Sequence, residues 1–131
     1  MGKLLIHQLQ YITKYMKEKI IEHIIESFEE TVPDFKNFDI VLNCEIFNRT
    51  GSFQCYELGN KVHYFEFFQN NSLVELLFNC NEELMETSNR FNKMETIFFK
   101  NGDIKLELIW DQVLYDANQK AHEKNMKRKQ R

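Results

Sequence analysis

The chain has 131 residues, 43% of them hydrophobic and 14% aromatic, with 12 Phe, one Pro and four Gly. That suffices for one domain with a packed core, is too short for two, and excludes disorder of the body. Residues 120–131 carry six basic residues and one acidic, whereas the first 119 carry 11 basic and 19 acidic; a body this acidic argues against a phosphate-backbone binder and suits a basic partner.

The first predicted element is a helix over residues 4–30. Leu5, Leu9, Ile12, Met16, Ile20, Ile24 and Phe28 recur at three- and four-residue steps, with charged residues between them. Pro33 closes it. The residues before the helix, and His7, Gln8 and Gln10 within it, have no signal-peptide character, and no run reaches the roughly 18 apolar residues of a membrane span. These features predict a cytoplasmic protein with no membrane partner.

Three strands follow at 39–48, 52–58 and 61–68. Ile40, Leu42, Cys44 and Ile46 share one side of the first, and the links Arg49-Thr50-Gly51 and Gly59-Asn60 read as turns of an antiparallel meander. Ser72, with Glu75 three residues on, has the spacing of a capping box and predicts a second helix running to about Arg90. Leu73, Leu76, Leu77, Cys80, Leu84 and Phe91 form its apolar face. Strands at 94–99 and 104–109 flank Asn101-Gly102, a hairpin pair that tolerates positive φ. Trp110 ends that alternation and is read as the anchor of the junction between the last strand and the last helix. Asp111 then caps a third helix to about residue 125, with a thin apolar stripe of Val113, Leu114, Ala117 and Ala121.

The order is α-β-β-β-α-β-β-α. It implies an α+β fold of one domain over residues 1–125, with five largely antiparallel strands and helices on one face. Residues 126–131 read as a basic, frayed tail. That tail has no aromatic residue on which bases could stack, so direct nucleic-acid binding is not expected.

Chemistry is scarce. Cys44, Cys55 and Cys80 lack metal-knuckle spacing and read as buried free thiols, with a Cys44–Cys55 disulfide as the alternative. His7, His23, His63 and His122 are dispersed; His63 with Glu66 or Glu45 is a sheet-surface pairing at most. Cys55 or Cys80 with His63 shows no orienting third group. No catalytic residue, metal site or cofactor is expected. The acids Glu75, Glu82, Glu83 and Glu86 on the second helix, with Glu57 and Asp103 at strand ends, are the candidate partner contacts. Their rival reading is a merely solvated acidic surface.

Residues 90–111, RFNKMETIFFKNGDIKLELIWD, together with the element order, resemble a small α+β bacterial immunity protein of a polymorphic or contact-dependent toxin system. The resemblance implies a non-enzymatic cytoplasmic protein. It would bind and neutralise a cognate, basic toxin C-terminal domain such as a nuclease. No contact residue carries over from it. The alternative reading is a non-catalytic protein-binding or scaffolding domain unrelated to toxins.

Overall fold

A computed structural model describes residues 6–129, with side chains from residue 13 onward. The predicted helix start at Leu4, the apolar positions Leu5, Leu9 and Ile12, and His7 lie outside the described residues or side chains, as do residues 130–131. The elements are α1 (Ile6–Thr31), a 3-10 turn (Phe35–Asn37), β1 (Ile40–Phe47), β2 (Thr50–Glu57), β3 (Asn60–Tyr64), α2 (Asn71–Leu84), β4 (Lys93–Phe98), β5 (Ile104–Ile109) and α3 (Gln112–Lys129). This is the α+β order that the periodicities imply.

The sheet order is β3-β2-β1-β4-β5, and every neighbouring pair is antiparallel. β1 is central because its inward residues Ile40, Leu42, Cys44 and Ile46 are all buried. Across the register, Cys44 faces Phe53 of β2 and Met94 of β4. α1 covers this face with the four-residue row Met16, Ile20, Ile24 and Phe28, and α2 with Leu73, Leu77, Cys80 and Leu84. Burying each large apolar side chain contributes about 1.5–3 kcal/mol. The Phe28 ring is a hub, 5.3 Å from Phe35, 5.3 Å from Phe67 and 5.0 Å from Phe98 between centroids.

Several boundaries differ from the sequence expectation, each for a physical reason. The β1–β2 turn is Asn48-Arg49, both at positive φ (46° and 59°), so Phe47 pairs with Thr50 and Gly51 sits inside β2. β3 stops at Tyr64 rather than Phe68, because the chain turns inward there and Phe65 and Phe67 join the core cluster. The α2 cap is Asn70, not Ser72: the Asn70 Oδ1 accepts from the Leu73 N–H at 2.8 Å. The Asn70 N–H also reaches Ser27 Oγ at 3.4 Å, which ties the start of α2 to the end of α1. α2 ends at Leu84, where the Thr87 hydroxyl donates to the Leu84 carbonyl at 2.7 Å.

The junction after β5 is built on amides. Asn92 is buried; its Oδ1 accepts from the Asp111 N–H at 2.8 Å and its Nδ2 donates to the Asp111 carbonyl at 2.9 Å. Asn81, also buried, donates to the Phe91 carbonyl at 2.7 Å. Asp111 caps α3 as expected, its Oδ1 accepting from the Leu114 N–H at 2.9 Å. That bond, with Lys93 Nζ 3.3 Å from Oδ2, holds the carboxyl below its ordinary pKa against a smaller opposing effect of desolvation. α3 runs on to Lys129 and buries none of its residues.

Trp110 stands at the junction it is expected to anchor, against Tyr115 of α3, but not in the core. It is half-buried, its Nε1 donates to Gln112 Oε1 at 3.0 Å, and the Arg90 guanidinium lies 4.4 Å from the ring centroid.

Candidate partner-binding surfaces

The acids of α2 follow from its amphipathic period. With Leu73, Leu77, Cys80 and Leu84 turned to the core, Glu75, Asn79 and Glu82 fall at steps of four and three residues on the opposite face, and all three are exposed. Glu83 is beside them and Glu86 follows just past the helix end, both exposed. α2 contains no basic residue. Glu75 and Glu82 are about 10 Å apart along the axis at 1.5 Å per residue.

Among the described residues, one cation reaches this face from outside the helix. Arg49 Nη1, from the β1–β2 turn, lies 2.9 Å from Glu82 Oε1 and 3.4 Å from Asn79 Oδ1. The guanidinium also sits 5.5 Å from the Phe78 ring centroid. Glu75, Glu83 and Glu86 form no ion pair with another described residue.

The other two candidate acids stand apart from α2's group. Glu57 accepts from His63, with Oε1 and Nδ1 3.0 Å apart. Asp103 serves its own turn, where its N–H donates to Asn101 Oδ1 at 2.9 Å and its Oδ2 accepts from Asn101 Nδ2 at 3.2 Å. Both lie at the end of the sheet where Ile40 begins β1. β1 and β4 separate them by about 14 Å at the usual strand spacing. The Arg49 turn is at the other end of β1, roughly 23 Å away. The six acids thus make one group on α2 and two separate outliers.

Among the described residues, the histidines and cysteines show no reactive geometry. His63 meets Glu57 rather than Glu66 or Glu45, and its ring packs 5.3 Å from Phe38 and 4.8 Å from Phe65. Cys44, Cys55 and Cys80 are free and buried. Burial pushes the Cys44 and Cys55 thiols up to about 12 and Cys80 to about 11, which suppresses the nucleophilic thiolate. Cys55 faces Leu42 and Cys44 faces Phe53, so the two are offset in register. Among the described residues, no three His, Cys, Asp or Glu side chains gather as metal ligands, and no helix is long and apolar enough to cross a membrane.

Two surfaces escape the sequence reading. β3 is an edge strand whose five residues are all exposed. It pairs Tyr64 with Tyr56 and Asn60 with Glu57, so residues 61–63 bulge away from β2. Val62 is 87% exposed, Tyr64 74%, Phe68 66% and Leu58 41%, an apolar patch beside that bulge. The signal available was the run of apolar residues at both parities between 58 and 68. The second surface is an aromatic series at the opposite end. Trp110 lies 5.1 Å from Tyr115, Tyr115 5.8 Å from Phe47, and Phe47 6.0 Å from His122. A cleft of about 280 Å³ opens there between α2, the β1–β2 turn and α3, lined in part by Phe47, Asn48, Glu82, Met85 and Tyr115. These rings come from β1, the link between β5 and α3, and α3, and only the tertiary fold brings Phe47 to the others.

No family profile, curated protein or solved structure matches the chain. The acidic outer face of α2 stands next to the aromatic cleft.

Proposed function

We propose that this protein is a non-enzymatic immunity protein. It binds a cognate, basic bacterial toxin domain, of nuclease type, and occludes its active site or substrate cleft in the cytoplasm of the producing cell. The observation that carries this reading is the acidic outer face of α2. Leu73, Leu77 and Leu84 seat the helix in the core, so the backbone that carries Glu75, Glu82 and Glu83 is fixed before any partner arrives, and only side-chain ordering is left to oppose binding. Carboxylates so arranged can occupy the positions of substrate phosphates in a basic cleft. Opposite fields speed encounter and make it salt-sensitive. The apolar patch at Leu58, Val62, Tyr64 and Phe68 favours a second reading, a scaffolding domain unrelated to toxins.

Two experiments separate the readings. Co-expression with the C-terminal domain of a large secreted protein encoded by a neighbouring gene should restore growth, and continued killing would remove the toxin reading. Reversing Glu75, Glu83 and Glu86 to Lys, which leaves the Arg49–Glu82 pair intact, should lower the association rate with that domain at low salt by about tenfold or more. The deficit should shrink as salt is raised. An unchanged rate in a folded variant would exclude α2 as the docking face.

A further inference from the structure

The contact between Arg49 and α2 has the composition of a ligand site. A guanidinium is planar and carries donors in a fixed fork, so it is matched by oxygen acceptors at its edge and an aromatic ring at its face. Glu82 Oε1 at 2.9 Å and Asn79 Oδ1 at 3.4 Å both accept from Nη1, and the Phe78 ring lies 5.5 Å from the guanidinium carbon. Asn79 and Glu82 are three residues apart on one helix face, so all three groups are fixed by α2 alone. Arg49 is about half exposed, as is Glu82. Water and an incoming side chain can therefore both compete for the site. The cleft lined by Phe47, Met85 and Tyr115 opens beside Glu82 and leaves room for the stem of such a side chain.

The backbone at Arg49 adds to this. Its φ of 59° is left-handed, where a side chain other than Gly or Asn carries a steric cost. A two-residue hairpin turn of this kind prefers Asn-Gly, and Asn48 already supplies the first position. Arginine at the second is the costlier residue, and the work its side chain does is on α2.

We infer that Glu82, Asn79 and Phe78 form a guanidinium-binding site on α2, filled in the free protein by the chain's own Arg49 and taken over by an arginine of a basic partner. This deepens the binding reading above and rests on it: the partner's key cation is arginine rather than lysine, and Arg49 holds the place until it arrives. A lysine ammonium is a point charge that would gain from Glu82 and be attracted to the ring, but has no plane to stack on it and no fork of donors to span both oxygens.

The test uses blocked hexa-arginine and hexa-lysine peptides, titrated calorimetrically into the full chain. Arg49→Gly restores the relaxed Asn-Gly turn and empties the site, and Arg49→Asn does the same with a second residue that tolerates left-handed φ. In both variants, shown folded by circular dichroism, hexa-arginine should bind about two- to fivefold more tightly than to the wild type, the span that one exposed ion pair commands. Hexa-lysine should gain less. Adding Glu82→Gln should erase the arginine preference, whereas Glu83→Gln, an equal change of charge outside the site, should weaken both peptides alike. Equal gains for the two peptides would reduce Arg49 to a bulk charge and overturn the proposal, as would no gain at all. Failure of toxin capture would appear in the growth assay and leave peptide selectivity untouched, so the two readings fail separately.

Discussion

α2 and α3 start alike and end differently. Each has a side chain accepting from the N–H three residues on, Asn70 for α2 and Asp111 for α3. α2, with 14 residues, buries five of them, whereas α3, with 18, buries none. Most helical stability in proteins comes from packing of an amphipathic face, and isolated helices of this length are marginal in water. α3 instead relies on its cap, on Tyr115 and His122 against Phe47, and on Lys127, Arg128 and Lys129 beside the negative end of its dipole. The two helices show how far local chemistry extends a helix that the core does not hold.

The contrast can be broken most forcefully at one leucine. Leu77→Ala should destabilise the fold by about 2–5 kcal/mol in denaturant titration, and Val113→Ala, its counterpart on the outer side of α3, should stay within about 0.5 kcal/mol. Similar losses at the two positions would mean that α3 is packed after all. Asn92→Ala should come next. It leaves the Asp111 N–H without its partner in a half-buried junction, at about 1–3 kcal/mol unless water enters, while the Asp111 carbonyl still accepts from the Tyr115 N–H at 3.0 Å. Amide exchange in α3 should then quicken more than in α2.

Trp110→Ala removes a half-buried ring with Arg90 on it, so about 2 kcal/mol is expected, below the 3–5 kcal/mol of a fully buried aromatic. A loss at the upper figure would restore Trp110 to the core. The smallest effect is that of pH on the α3 cap. The Asp111 carboxyl titrates below its ordinary value in the folded state. Its contribution is therefore complete above the unfolded pKa and disappears as pH falls through the folded one. Asp111→Asn keeps a capping oxygen but does not titrate. Its unfolding midpoint should lie below that of the wild type at neutral pH and converge with it in acid.

The elements themselves were legible because their periods are clean. Ile104–Ile109 alternates between a Gly-containing turn and Trp110, and Met16, Ile20, Ile24 and Phe28 step by four. The α2 cap was not, because Asn70 and Ser72 are both capping residues and only Asn70 stands where its N–H can reach Ser27 Oγ. β3 was overextended because Phe65 and Phe67 continue an alternation that the sheet does not; their true destination, beside Phe38 and Phe28, depends on α1. For the candidate surface, the acids of α2 could be seen in the sequence as a helical stripe. Their modulation by Arg49 could not, since it joins residues 33 apart through a turn that the sequence suggests at Arg49-Thr50-Gly51 and the structure forms at Asn48-Arg49. The pairing of Glu57 with His63 spans only six residues, yet it hinges on the bulge in β3, which no local pattern announces.

The three cysteines sit in β1, β2 and α2, each sealed from solvent, with thiols that scarcely ionise at neutral pH. All three belong to the one core cluster between the sheet and its covering helices. A thiol reagent therefore meets them only when a helix lifts from the sheet, even though the strands stay paired. The chain carries its own record of that opening, written in the rate at which its sulfurs become reactive.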